Sequence, residues 1–206
     1  MVKLKSPMMS LDASGSIGSA ITFSKWKGRN YARKLVVPAN PQSGLQVGMR
    51  AGLSYLSKNY ASLTAGEKTA WEAHVASLSI SGINGYIRHN QQRLRRNLGV
   101  QSAYNDTAAA AIAAPSAGAA TAAPKSVILT WVDSAGTDHK ATAIFWSLTG
   151  TFTRDISKLV AIIPDGVQTY TDIRLTTGIA RFYEFAAVAD TGTLGTASAE
   201  VTATPT

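Results

Sequence analysis

Residues 107–124 read Thr-Ala-Ala-Ala-Ala-Ile-Ala-Ala-Pro-Ser-Ala-Gly-Ala-Ala-Thr-Ala-Ala-Pro, with 11 alanines in 18 positions. Two prolines and almost no bulky side chain leave this stretch little with which to build a core, so it reads as a linker over 106–124. The chain changes character across it. Residues 1–105 hold 14 Lys or Arg against 3 Asp or Glu, whereas residues 106–206 hold 6 against 9. A basic domain over 1–105 and an acidic domain over 125–206 are therefore expected, each long enough to bury its own core.

The 206 residues include no cysteine, which removes disulfides and thiolate metal sites. The start carries lysines but no apolar core of a signal peptide, and no run of about 18 apolar residues occurs, so no membrane association is expected. The positive charge of the first half suits either nucleic acid or an acidic protein surface.

Working back from the linker, Ser43 and Gln46 have capping-box spacing, and Leu45, Met49, Leu53, Leu56 and Tyr60 recur at helical intervals, predicting a helix over 43–61. Thr64 and Glu67 repeat the capping signal before Trp71, Val75 and Leu78. A third helix follows Ser81, with Ile83, Ile87, Leu94 and Leu98 on one side and Arg88, Arg93, Arg95 and Arg96 forming a basic surface on the rest. Before the helices, Ala20–Ser24 and Tyr31–Val37 are β-prone runs around Lys27-Gly28-Arg29-Asn30, the signature of a hairpin. Pro38-Ala39-Asn40-Pro41 reads as a stiff crossover. Lys25, Trp26, Lys27, Arg29, Tyr31, Arg33 and Lys34 set aromatics among cations on this hairpin, the composition of a binding hot spot and equally of a nucleic-acid stacking surface.

Beyond the linker, short β-prone runs alternate with turns: Val127–Trp131, Ala141–Trp146, Lys158–Ile163, Thr169–Asp172, Phe182–Val188 and Ala199–Ala203. Six or seven strands at this spacing predict a β-sandwich. The expected fold class is thus α+β for the first domain, a β-hairpin plus about three helices, followed by an all-β immunoglobulin-like sandwich.

Residues 125–206 resemble a fibronectin type III domain through Trp131, the Tyr170-Thr171-Asp172 segment leading to Leu175 and Gly178, and the Tyr183–Val188 strand before Asp190-Thr191-Gly192. The tyrosine usual at the start of that family's sixth strand falls at Arg181, and alternation instead puts Tyr183 in the core. No Arg-Gly-Asp tripeptide supports integrin-type adhesion. Residues 10–98 resemble virion proteins of tailed phages and prophages. Gly15–Gly18, the Phe23–Arg33 run containing Lys-Gly-Arg-Asn-Tyr-Ala-Arg, Val37–Gln42, Gln46, and the Leu63-Thr64, Glu67-Lys68, Trp71 pattern carry this resemblance. It implies a structural or accessory role in a particle assembled in the host cytoplasm.

Catalytic motifs are missing from the sequence. His74, His89 and His139 show no HExxH spacing, Gly66-Glu67-Lys68-Thr69 lacks the glycine pattern of a phosphate loop, and no GxSxG occurs. No enzyme activity, cofactor or metal site is expected. The first expectation is a capsid accessory (cement or decoration) protein, present in many copies. Its basic domain would dock on the major capsid protein and its sandwich would project outward. The alternatives are a neck or tail component contacting portal or tail proteins, a DNA-binding protein, and a sandwich that binds host glycans.

Overall fold

The structure is a computed structural model that describes residues 2–4, 15–17, 20–36, 42–104, 112–136 and 138–206. The chain divides into two compact units, Met1–Pro41 and Gln42–Thr206. The Pro38–Pro41 crossover and the start of the expected linker lie outside the described residues.

In the first unit, β1 (Val2–Leu4), β2 (Gly15–Ile17), β3 (Ile21–Trp26) and β4 (Arg29–Lys34) form an antiparallel sheet in the order β1-β4-β3-β2. The expected hairpin is β3–β4. Its two-residue turn, Lys27-Gly28, has φ of 48° and 75°. Two successive positive φ values match the right-handed twist of the flanking strands, and glycine takes its position without a Cβ penalty.

Among its described residues the second unit contains α1 (Gly44–Ser62), α2 (Ala65–Val75), α3 (Gly82–Arg95) and eight strands: β5 (Ser116–Ala123), β6 (Ser126–Val132), β7 (His139–Ser147), β8 (Leu159–Pro164), β9 (Thr169–Ile173), β10 (Arg181–Ala189), β11 (Leu194–Ala197) and β12 (Val201–Ala203). One sheet has the order β5-β6-β9; the other runs β11-β10-β7-β8, with β12 also paired to β10. Val127, Leu129 and Trp131 from the first sheet meet Ile144, Tyr183 and Phe185 from the second. This is the expected β-sandwich.

Two expectations are corrected here. The stretch expected to be linker contributes a strand, β5, paired with β6 from Ala119↔Thr130 to Ala123↔Ser126. Small side chains serve this edge strand because it passes close over the Phe185 ring. A Cβ on Gly118 would lie 2.9 Å from a ring carbon. Bulk for the core comes from β6 instead.

The domain boundary also moves. Ala141, Ala143 and Phe145 of β7, Leu159 and Ile162 of β8, and Ala186 and Val188 of β10 share one buried cluster with Tyr55, Leu56, Trp71, Tyr86 and Leu94 of the helices. The helices therefore cover the outer face of the β7–β8–β10 sheet, giving three layers and a common core. Leu56, Trp71 and Tyr86 are fully buried, and full burial of a leucine such as Leu56 is worth roughly 1.5–3 kcal/mol of transfer free energy.

The helices sit as expected in sequence but not always in rotation. Thr64 and Glu67 of α2 form the capping box in both directions, whereas Ser43 makes no side-chain cap bond to α1. Leu45 and Leu53, expected on the buried stripe, are exposed, and α1 buries Gly48, Gly52, Tyr55 and Leu56 instead. Gly48 faces inward because the Ile156 backbone runs against this side of the helix, and Gly52 because the Leu94 side chain of α3 does. Leu78 and Leu98 are likewise exposed.

Candidate docking surface

Register divides the seven hairpin residues between the two faces of the sheet. The pairs Trp26↔Arg29, Ser24↔Tyr31 and Thr22↔Arg33 lie on one face, and Lys25↔Asn30, Phe23↔Ala32 and Ile21↔Lys34 on the other. Trp26, Arg29, Tyr31 and Arg33 thus form a single patch, with Lys27 at its tip, while Lys25 and Lys34 belong to the opposite face. Trp26 is 65% exposed, and the Lys27 ammonium lies 5.0 Å from its ring centroid. Residues 1–41 carry seven Lys or Arg against the single acid Asp12, and no acid occurs among the described residues of this unit. The patch is an aromatic surface framed by cations, suited to a carboxylate-bearing or phosphate-bearing partner.

The second basic group does not hold together. Arg88, Arg95 and Arg96 are exposed on or beside α3. Arg93 is instead a structural clamp: Nε donates to the Gly99 carbonyl at 2.9 Å and an Nη donates to the Gly192 carbonyl at 2.8 Å. Burial pulls its guanidinium below the usual value. The neighbouring segment is stitched in the same way. Buried Asn90 both donates to and accepts from the Gln101 backbone, and Trp71 Nε1 donates to the Ser102 carbonyl at 2.6 Å. The Ser102 amide in turn donates to the Asp190 carbonyl. His74 stacks on Tyr104 with centroids 3.5 Å apart. His89 Nε2 is 2.9 Å from Gln101 Oε1, and desolvation holds the His89 imidazole below its ordinary pKa.

Sequence reading also passed over a cluster at one end of the sandwich. Asp133, His139 and Asp165 each place a possible ligand atom within 4.8 Å of the others. They lie after β6, at the start of β7 and after β8, so their convergence becomes visible only once the strands are paired. The atoms are already committed to hydrogen bonds. His139 Nδ1 sits 2.9 Å from Asp165 Oδ1, and Asp133 Oδ1 accepts from Trp131 Nε1 and Thr142 Oγ1. The Gly166 amide donates to Asp133 Oδ2. Burial pushes the Asp133 carboxyl upward, but these donors and His139 outweigh it and leave the group below its ordinary value. Asp165, His139 and Thr142 follow one another as carboxylate, imidazole and hydroxyl, yet Thr142 is fully buried. The network braces the loops at that end of the sandwich.

At the position of the family tyrosine, Arg181 stacks on Trp146, 4.2 Å from the ring centroid. Tyr183 is fully buried as alternation predicts, and its hydroxyl donates to Asp172 Oδ2 at 2.9 Å. Among the described residues no helix is long and apolar enough to cross a membrane.

No protein-family model matches the chain, and no curated protein matches it by sequence. Solved structures match part of it. A β-1,2-glucanase from Parabacteroides distasonis is 23% identical with a TM-score of 0.42, over 50% of this chain and 14% of the glucanase. An Fn3-like protein from Clostridium thermocellum is 22% identical with a TM-score of 0.38, over 47% of this chain and 96% of that protein. The FN3tt structure is 15% identical, TM-score 0.37, over 47% of this chain and 97% of its own length.

Proposed function

We propose that this chain is a non-enzymatic structural protein of a tailed-phage particle, a capsid accessory protein that docks through the Trp26, Arg29, Tyr31 and Arg33 face of its basic sheet. The observation that carries this reading is Trp26, 65% exposed at the tip of a hairpin whose unit is almost purely cationic. Aromatics set beside arginines are the composition of a binding hot spot, and the flanking guanidiniums suit carboxylates on a capsid protein. The unit that projects from the particle is then residues 42–206, helices and sandwich together, rather than the sandwich alone. Resemblance to virion proteins over residues 10–98 supplies the particle. Quantitative mass spectrometry of purified heads and tails tests the assignment. The chain should appear in the head fraction at many copies per particle; recovery in the tail fraction would move it to the neck or tail, and absence from both would end the virion reading.

A further inference from the structure

Between α2, the turn that follows it and α3 lies a cleft of about 290 Å³. From α3 it takes Gly85, Arg88, His89 and Gln92, whose spacing places them on one helical face. From α2 and the turn come His74, Val75, Leu78 and Ile80. A Cβ on Gly85 would run into Val75 Cγ1, so glycine at this position permits the close approach of the two helices beneath the cleft.

The lining divides by chemistry. Val75 is buried, whereas Leu78 and Ile80 are 46% and 36% exposed and leave one side of the opening apolar. Arg88 and Gln92, one turn apart, supply the polar part, and neither forms a hydrogen bond or ion pair among the described residues. His74 is held by its stack on Tyr104, with no hydrogen-bond partner for either ring nitrogen among the described residues. His89 is fixed through Nε2 against Gln101. No described Asp or Glu lines the cleft; Glu72 lines an adjoining one with Ser81 and Gly82.

We propose that this cleft binds a small organic carboxylate with an aromatic or branched apolar body. The carboxylate would pair with the planar donor fork of Arg88 and accept from the Gln92 amide and a His74 N–H, while the body would lie on Val75, Leu78 and Ile80. Volume sets the size of the ligand, because about 290 Å³ is at the small end of ligand sites. An uncompensated guanidinium sets the sign of its charge. The apolar side favours an organic acid over inorganic phosphate, which would leave Leu78 and Ile80 in water.

The chain has three histidines, so imidazole NMR reads the site directly, with His139 at the start of β7 as internal control. Phenylacetate, titrated into the full chain at constant pH and ionic strength, should shift the His74 and His89 ring signals saturably. A Kd of about 5 mM or below is expected, with His139 unmoved. Phenylacetamide keeps the ring without the charge, and acetate the charge without the ring. Each should bind at least about tenfold more weakly, as should inorganic phosphate. Arg88→Gln, at an exposed position, should weaken phenylacetate binding about tenfold with unchanged circular dichroism. Shifts that do not saturate or that move His139 equally would overturn the proposal. So would full affinity in Arg88→Gln, or binding of phenylacetamide, acetate or phosphate as tight as that of phenylacetate.

Discussion

Replacing Gly48 by alanine sets two effects of opposite sign against each other. In a helix interior alanine is favoured over glycine by about 0.8–1.0 kcal/mol. At Gly48, however, a Cβ would run into the Ile156 carbonyl oxygen, with the carbonyl carbon only 3.0 Å away and Ile156 Cγ1 at 3.4 Å. These are mostly backbone atoms of the segment leading into β8, so α1 or the segment must move. Overpacking of this kind costs about 1–3 kcal/mol, and more when backbone must shift. Net destabilisation of about 1–2 kcal/mol is expected, lowering Tm by roughly 2–8 °C for a unit of this size. Gly66→Ala is the internal control. Nothing lies within 4 Å of its added Cβ, so propensity acts alone and stability should rise by up to about 1 kcal/mol, less if the first turn of α2 is tolerant. Urea unfolding of both variants, followed by helical circular dichroism and by tryptophan fluorescence, decides the matter. Gly48→Ala must lower both signals together. If it stabilises as Gly66→Ala does, or shifts the helical signal alone, the shared core of helices and sandwich is refuted.

Limited proteolysis should give a stable fragment beginning near Gln42, and residues 116–123 should resist cleavage because β5 is paired along β6; early cutting there would restore the linker. Arg93→Ala should cost about 1–3 kcal/mol in chemical denaturation, since it removes the donors to Gly99 and Gly192 together; an unchanged midpoint would return Arg93 to the surface. The two carboxylates of the sandwich should respond oppositely to pH. Asp133 is held below its ordinary value, so it stabilises the fold above about pH 4 and that contribution is lost as acid titrates it. Asp172 is held above its ordinary value, chiefly by desolvation, with the Tyr183 hydrogen bond and Arg181 opposing. Its ionisation therefore opposes folding, a cost absent below about pH 4 and complete once pH exceeds the raised value. Asp172→Asn keeps an acceptor for Tyr183 and should raise the neutral-pH Tm while leaving it unchanged near pH 3; a lower Tm at pH 7 would show that the charge is needed.

Alternation and turn chemistry made the strands β6 to β10 and the β3–β4 hairpin legible, because period two and a Lys-Gly turn are local signals. Helix positions were legible for the same reason. The rotation of α1 was not, since its buried glycines carry no hydrophobic signal and owe their place to groups distant in sequence, the Ile156 backbone and the Leu94 side chain. The covered outer face had left a trace. Ala141 to Phe145 and Phe185 to Ala189 are nearly continuous apolar runs, as expected of strands buried on both sides. A sandwich projecting alone would need polar residues at alternate positions there. Alanine richness concealed β5, because an edge strand can contribute its backbone without large side chains. Of the candidate site, the residue types were visible in the sequence. The pleat that gathers Trp26, Arg29, Tyr31 and Arg33 on one face needed the register, and Arg93's inward role needed the fold around Gly192.

The docking claim is tested most directly by the copy number of the full-length Trp26→Ala, Arg29→Ala double variant on purified particles, counted beside wild type with folding verified by circular dichroism. Both side chains lie on the same exposed hairpin face. As hot spots each should contribute about 2 kcal/mol or more, close to a thirtyfold loss of affinity apiece. The account predicts particles largely empty of the variant; particles carrying it at wild-type copy number would contradict it.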